Sequence, residues 1–210
     1  VPGDDPDVVK GRAGSPYAVM DYYNVDPDLA VNPANRLNEF RSLIARTHQQ
    51  GMKVIIDIVP NHVARNYSQA EEQAGRTSFG KTDDFSTEYA RDNNFYYIPG
   101  QPFQVPDPQE NYLPLGGEKH PLANGKFDEN PAKWTGNGSR NPKPSFWDWY
   151  ETVKLNFGVQ SDGSKDFDTI PGNLATASYQ EYCAFWQDKS VPDTWKKFRE
   201  IALFWIALGV

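Results

Sequence analysis

A nearly continuous apolar run lies at residues 54–59, interrupted by a single carboxylate, Asp57. A run rich in β-branched residues is typical of a strand buried on both faces, as in the parallel sheets of α/β proteins. Pro60 ends the predicted strand because it has no N–H group to donate. Asn61 and His62 then follow its carboxyl end, where α/β folds place ligands and chemistry. The same pattern also fits a solvated Asp57 and a His62 that is a loop residue or helix N-cap.

A helix is predicted directly before this strand. Asn32 and Pro33 have the residue types of an N-cap and a first helical residue, and Gly51 has the type that follows a helix. Apolar or small residues recur between them at helical spacing, namely Leu37, Phe40, Leu43, Ile44 and Thr47. Loop, helix, glycine turn and buried strand make up most of a βαβ unit.

A second clear helix is predicted near the end of the chain, and a weaker helical pattern spans residues 174–186. The clear helix begins with Asp193 as its N-cap, runs to Leu208 with a broad apolar face, and ends at Gly209. Val210 has the character of the first residue of another buried strand. We therefore expect the sequence to be a fragment of a longer domain.

Helical spacing almost disappears between residues 64 and 171, where Asn, Asp, Gly and Pro separate short aromatic runs. A structureless loop of this length is improbable in a compact domain. The sequence therefore predicts an inserted, irregular subdomain that contains short β-strands.

Composition narrows the classes of partner. The formal net charge of -7 and the absence of a basic block argue against nucleic acid and anionic membranes. No apolar stretch approaches the roughly 18 residues of a membrane-spanning helix. The single Cys183 excludes an internal disulfide and a cysteine-based zinc site, and its aromatic neighbours predict a buried, inert thiol. The polar start, without a leader or an initiating Met, indicates a processed or internal piece. The aromatic content of 14% fits a saccharide partner as well as an ordinary core.

Four segments, in the correct order, resemble the α-amylase family of glycoside hydrolases, which are TIM-barrel enzymes acting on α-glucans. Residues 57–62, D-I-V-P-N-H, are similar to the family signature D-x-x-x-N-H at the end of the third barrel strand. Residues 14–23 resemble the segment after the second strand. The resemblance implies an incomplete (β/α)8 barrel in three parts, which are residues 1–62 as partial barrel, 63–191 as the inserted domain B, and 192–210 as the helix leading into the fourth strand.

The resemblance also implies roles for three side chains. Tyr17 would be the platform under the glucose ring at the cleavage subsite, His62 would hydrogen-bond the hydroxyls of that ring, and Asp57 would support the site from within. The family's nucleophile, acid/base and stabilising carboxylates would lie beyond Val210. We therefore expect the 210 residues alone to be inactive, and to need the rest of the barrel or an oligomeric partner to cover exposed core.

Asn61 corresponds to a residue that binds structural Ca²⁺ in many relatives, together with an acid in domain B. The counterpart of that domain-B motif is Lys154-Leu155-Asn156, in which Lys154 replaces the expected acid. Calcium needs six to eight oxygen ligands, and an ammonium group would repel the ion and could occupy its place. We predict that this site is free of calcium, and no other cofactor is predicted.

The predicted function of the parent protein is retaining hydrolysis of α-1,4 bonds in starch or maltooligosaccharides. The alternatives are a transglycosylase, an α-1,6-acting relative, or a non-catalytic glycan-binding or scaffold homologue. A polymeric substrate favours an extracellular or periplasmic location.

Overall fold

The computed structural model describes residues 5–12, 14–68, 77–107, 120–168, 171–187 and 189–210. The helices are α1 (Arg36–Gln49), α2 (Tyr179–Gln187) and α3 (Asp193–Ala207), with 3₁₀ turns at Pro27–Leu29, Pro33–Asn35 and Gly172–Thr176. The strands are β1 (His62–Ala64), β2 (Tyr97–Ile98), β3 (Ala132–Lys133) and β4 (Thr152–Lys154). Strand β1 pairs antiparallel with β4, and β2 pairs antiparallel with β3.

The predicted first helix is confirmed. The Asn32 side chain accepts a hydrogen bond from the Ala34 N–H at 3.1 Å and caps the 3₁₀ turn that runs into α1. Glu39 reaches back to accept from the N–H groups of residues 31 and 32, both at 2.9 Å. Gly51 has φ +73°, the left-handed conformation expected after a helix end.

The prediction of a buried strand at residues 54–59 is wrong. Residues 52–60 have no regular secondary structure, Ile55 is 91% exposed, and Asp57 is also exposed. A parallel strand forms only where neighbouring strands accept and donate its backbone hydrogen bonds. The described residues place no strand beside this run, so its sequence pattern has nothing to pair with.

Helix α3 and its glycine stop are confirmed, with one correction at the start. The N-cap position is Pro192, and Asp193 is the first helical residue. The Asp193 carboxylate instead accepts a hydrogen bond from Asn94 Nδ2 at 3.0 Å and pairs with Lys197 Nζ at 2.7 Å. The bond from Asn94 attaches the helix to the segment before β2, whereas the pair with Lys197 lies within the helix.

The weaker helical pattern at residues 174–186 corresponds to the 3₁₀ turn Gly172–Thr176 and helix α2. Cys183 lies on α2 and is exposed, so the prediction of a buried thiol is wrong. The aromatic neighbours that suggested burial are themselves on a helix without a buried residue.

The core consists of two aromatic-rich clusters. The first joins β1 and β4 to α3 and the segment after Tyr17, and it contains Tyr22, Tyr23, Val63, Phe79, Phe95, Tyr97, Val153, Leu155, Ile201 and Trp205. The second surrounds β2 and β3, and it contains Val8, Tyr96, Ile98, Phe103, Ala132, Trp134, Phe146 and Tyr150. Burying this apolar surface is the main source of stability, at roughly 25 cal/mol per Å².

The middle of the chain is irregular and contains short strands, as predicted. The described residues hold two small sheets and a few helices but no closed barrel, so an incomplete barrel remains a prediction. The domain boundaries at residues 62–63 and 191–192 also remain predictions. Parts of the first two predicted domains (residues 1–4, 13, 69–76, 108–119, 169–170 and 188) lie outside the described residues.

No helix in the described part of the chain has both the length and the apolar character needed to cross a membrane.

Candidate functional site

A cavity of about 280 Å³ opens beside the β1–β4 ladder. This volume is just below the roughly 300–1,000 Å³ typical of small-molecule sites, and it suits one sugar ring. The buried part of its lining is polar, and two exposed aromatic residues border it. The lining residues are Lys10, Ser15, Tyr17, Val59, His62, Trp149, Glu151 and Thr152.

His62 is the first residue of β1 and is only 8% exposed. Its Nδ1 lies 2.8 Å from Asn61 Nδ2, and because an amide NH₂ only donates, Nδ1 accepts and the ring proton is on Nε2. Burial lowers the pKa of His62, the Lys154 ammonium lowers it further, and a hydrogen bond to the Tyr17 backbone opposes both. The imidazole is therefore neutral at neutral pH.

Tyr17 lies at the cavity beside His62 and is 55% exposed. Its segment turns at Ser15, whose Oγ accepts from the Tyr17 N–H at 3.2 Å. The segment is then tied to β1 by a hydrogen bond from the Ala64 N–H to the Val19 carbonyl at 2.9 Å. The backbone is thus anchored while the ring remains open to a ligand.

Asn61 and Lys154 contact each other at the edge of this site. Lys154 Nζ donates to Asn61 Oδ1, and Asn61 Nδ2 donates to the Gly136 carbonyl at 2.9 Å. Burial lowers the pKa of Lys154. An ammonium group therefore uses the one side-chain oxygen through which Asn61 would bind a metal. Within the described residues, no group of three or more His, Cys, Asp or Glu side chains is placed to hold an ion. This donor set does not fit calcium, which favours carboxylate oxygens.

The structure thus brings Tyr17 and His62 together at one cavity and places Asn61 next to them. Asp57 is exposed on the irregular segment and does not line the cavity. The roles assigned to these residues by resemblance remain predictions.

From the sequence alone, no role is assigned to four further lining residues, which are Lys10, Trp149, Glu151 and Thr152. The Lys10 N–H donates to Glu151 Oε2 at 3.2 Å, and Lys10 Nζ donates to the Asp148 carbonyl at 2.6 Å. Burial raises the pKa of Glu151 and lowers the pKa of Lys10, and in both it outweighs the attraction between the two charges. The sequence shows an aromatic run at residues 146–150, but its spacing does not tell which rings face a cavity.

Comparison with known proteins gives the family. The profile described as "Alpha amylase, catalytic domain" matches residues 7–196. The chain is 35% identical over 60 residues to maltase 1 of Drosophila virilis (29% of this chain, 9% of the relative), and 36% identical over 75 residues to pullulanase A of Streptococcus pneumoniae (30% and 6%). It is also 35% identical over 69 residues to the amino acid transporter heavy chain SLC3A1 of Rattus norvegicus (33% and 9%).

These matches therefore span less than a tenth of the length of the curated relatives. No solved structure matches the chain significantly. The resemblance inferred from residues 14–23 and 57–62 is confirmed by the profile, which covers both segments. The chain belongs to the α-amylase family and is glycoside-hydrolase-like.

Proposed function

We propose that the protein carrying this chain is a retaining α-glucan hydrolase that cleaves α-1,4 bonds of starch or maltooligosaccharides. The observation that carries the proposal is the cavity of about 280 Å³ in which the neutral imidazole of His62 lies beside the open ring of Tyr17. An aromatic face stacks on the C–H face of a sugar. The single N–H of the neutral imidazole now bonds the Tyr17 backbone, so a sugar hydroxyl would replace or share that bond on binding. Asp57 would support the site once neighbouring elements surround it.

Bond cleavage with retention needs two carboxyl groups about 5 Å apart. Among the described residues that line the cavity, Glu151 alone carries a carboxylate. The family motif G-x-R-x-D, which supplies the nucleophile, does not occur in the 210 residues. The proposed division of labour is that this chain holds the sugar and that the catalytic carboxylates come from elsewhere in the protein.

The test is to incubate the full-length protein with starch, maltotriose and pullulan and to follow the anomer of the product by NMR. Starch and maltotriose should be hydrolysed with retention. Y17A should raise KM, and Y179A, which removes an exposed ring on α2, should not. A full-length protein without activity on any of these glucans would overturn the proposal, and hydrolysis by the 210-residue polypeptide alone would contradict the proposed division of labour.

The same assay separates the two nearest enzymatic alternatives. A transglycosylase would convert maltotriose into longer oligosaccharides rather than into glucose and maltose. An α-1,6-acting relative would cleave pullulan to maltotriose and leave α-1,4 bonds intact. Pullulanase A, a relative by sequence, gives the second alternative its weight.

A second candidate function is a non-catalytic module that binds a glycan or a protein partner. The similarity to an amino acid transporter heavy chain favours it. The residues that follow Val210 in the full-length sequence discriminate between the candidates, because an R-x-D motif supports an enzyme and its loss supports a binding module. A glycan-binding module would bind maltose without hydrolysing it, and a protein-binding module would neither bind nor hydrolyse it.

We further propose that the Asn61 site needs no calcium, because the Lys154 ammonium already contacts Asn61 Oδ1. The melting temperature of the full-length protein should be the same in excess EDTA as in excess CaCl₂. Should calcium raise it elsewhere in the protein, Asn61→Ala should not alter that increase. A calcium-dependent increase that N61A abolishes would contradict the proposal.

A further inference from the structure

We infer that Trp149 and Glu151 bind the same sugar ring as Tyr17 and His62, Trp149 as a second stacking platform and Glu151 as an acceptor for hydroxyl groups. The inference rests on the proposed function and deepens it. It assigns substrate specificity to the loop before β4, which lies outside the D-x-x-x-N-H segment at residues 57–62. The ligand class is a hexose unit at or within an α-glucan.

Trp149 has a rigid backbone and an open ring. Its N–H donates to Asn137 Oδ1 at 3.1 Å. Its carbonyl accepts from the Thr152 N–H at 3.0 Å and from the Thr152 hydroxyl at 2.9 Å. The residue is nevertheless 50% exposed at the cavity. A ring held in place and left uncovered loses little entropy when a ligand stacks on it.

The indole is also placed against the site already described. The centroids of the Trp149 and His62 rings lie 5.4 Å apart, and the ring planes are inclined at 64°. His62 in turn hydrogen-bonds the Tyr17 backbone. Tyr17 and Trp149 therefore both lie next to His62 at the same cavity.

Glu151 supplies the acceptor that the aromatic pair lacks. It is buried, yet it lines the cavity. Its carboxylate accepts from the Lys10 N–H at 3.2 Å and also from the Ser15 backbone. A carboxylate can accept up to about four hydrogen bonds, so a sugar hydroxyl can add to the backbone donors that already hold Glu151. The adjacent Thr152 is buried and lines the same cavity, which keeps the polar part of the site together.

Trp147 provides a matched control on the same loop. It is 62% exposed, its ring packs edge-on against Phe146 at 5.7 Å, and it does not line the cavity. Glu88 is a corresponding control for Glu151, because it is exposed and lies outside the cavity. The two pairs separate a sugar contact from the general effect of losing an aromatic ring or a charge.

The experiment measures KM and kcat of the full-length protein on maltotriose, with maltose as a competing ligand, for W149A, W149L, W149Y, E151Q, W147A and E88Q. W149A and W149L should raise KM roughly tenfold, the range of one aromatic contact together with the apolar area it buries. E151Q should raise KM several-fold. W149Y, which keeps a flat ring, should restore most of the affinity, and W147A and E88Q should behave as wild type.

W149L keeps apolar volume at the site and is the deciding variant if W149A unfolds. The inference would be overturned by an unchanged KM in E151Q, or in a W149L protein that melts like wild type. The proposed function would still stand in that case if the wild type hydrolyses starch. Loss of affinity in W147A equal to that in W149A would also overturn it. A wild-type protein that neither binds nor cleaves maltotriose would remove the proposed function and this inference together.

Discussion

The carboxylate of Asp7 shows how single residues hold the irregular part of the chain together. Its Oδ1 accepts from the N–H groups of Asn124 and Gly125, and its Oδ2 accepts from those of Lys126 and Phe127, at 2.8–2.9 Å. Burial raises the pKa of Asp7, but these four backbone donors outweigh it and lower the pKa below its ordinary 3.8. One side chain thereby closes a loop across more than a hundred residues of sequence.

Asp7→Asn should destabilise the protein at neutral pH, because its NH₂ group would face two N–H donors. The expected loss in free energy of unfolding is on the order of 1 kcal/mol after solvent screening. A carboxylate with a lowered folded-state pKa stabilises above its unfolded pKa, and the stabilisation is lost as pH falls through the folded value. The gap between the variant and the wild type, measured by urea unfolding, should therefore close below pH 3.8.

Asp128→Asn is the control, because Asp128 is exposed and lies just beyond the loop that Asp7 holds. It should match the wild type throughout. A deficit in D7N that stayed constant down to the lowest pH would show that the carboxylate charge is not what holds the loop.

At the scale of elements, Gly136 lies against the β1–β4 ladder at a point where a side chain would not fit. Its N–H donates to the Thr152 carbonyl at 3.0 Å, and its carbonyl accepts from Asn61 at 2.9 Å. A Cβ atom here would lie 2.1 Å from Thr152 Oγ1 and 3.2 Å from His62 Cβ. The close approach brings a loop of the inserted region onto the strand that begins with His62.

Gly136→Ala should push β4 away from its neighbours and cost roughly 1–3 kcal/mol, the range for forcing extra volume into a packed site. Because Thr152 and His62 line the cavity, the same variant should also raise KM for maltotriose. Gly172→Ala is the control, since a Cβ atom there would meet nothing within 4 Å. A G136A protein with wild-type melting temperature and KM would show that the loop accommodates the methyl group freely.

At the scale of the whole molecule, a buried ion pair joins the two core clusters. Arg65 follows β1, and its guanidinium pairs with Glu129 at 2.5 Å while stacking on Phe103 at 3.9 Å. Arg65 Nε also donates to the Tyr150 carbonyl at 2.7 Å, and Glu129 accepts from Lys133 Nζ at 2.9 Å. These contacts connect the first sheet with the residues around the second.

Glu129→Ala should cost roughly 3–5 kcal/mol, because it removes the carboxylate that pairs with the fully buried Arg65 guanidinium. Asp107→Ala removes the partner of Lys143 from an exposed pair and should cost no more than about 1 kcal/mol. Thermal and urea unfolding of both variants would measure the contrast. Equal small losses would indicate that water reaches Arg65 when Glu129 is removed.

Several large apolar side chains lie exposed on the surface of the molecule. Ile55 on the irregular segment and Leu203 and Ile206 on α3 are all exposed. We propose that further barrel elements or an oligomeric partner cover them, because large apolar side chains left this exposed can mark an interface. That cover would also give residues 54–59 the neighbours a strand requires.

The sequence by itself determined the features that depend on local chemistry. Asn32 marked the 3₁₀ turn that runs into α1, whose own N-cap position is Asn35. Gly51 and Gly209 marked helix ends correctly, because left-handed turns depend on the residue type at one position. Residues 57–62 pointed to the family, which the profile match confirmed.

Only the tertiary structure decided what depends on neighbours distant in sequence. The run at residues 54–59 has strand chemistry but finds no partner strand among the described residues, and Asp193 has N-cap chemistry but is drawn into a contact with Asn94. The antiparallel pairing of β1 with β4 places His62 opposite Lys154, ninety-two positions away. This pairing brings Lys154 to Asn61, and it brings Trp149 and Glu151 to the cavity of His62. A local sequence pattern does not specify which distant segment will pair with it. Tertiary packing therefore determines which residues form the site.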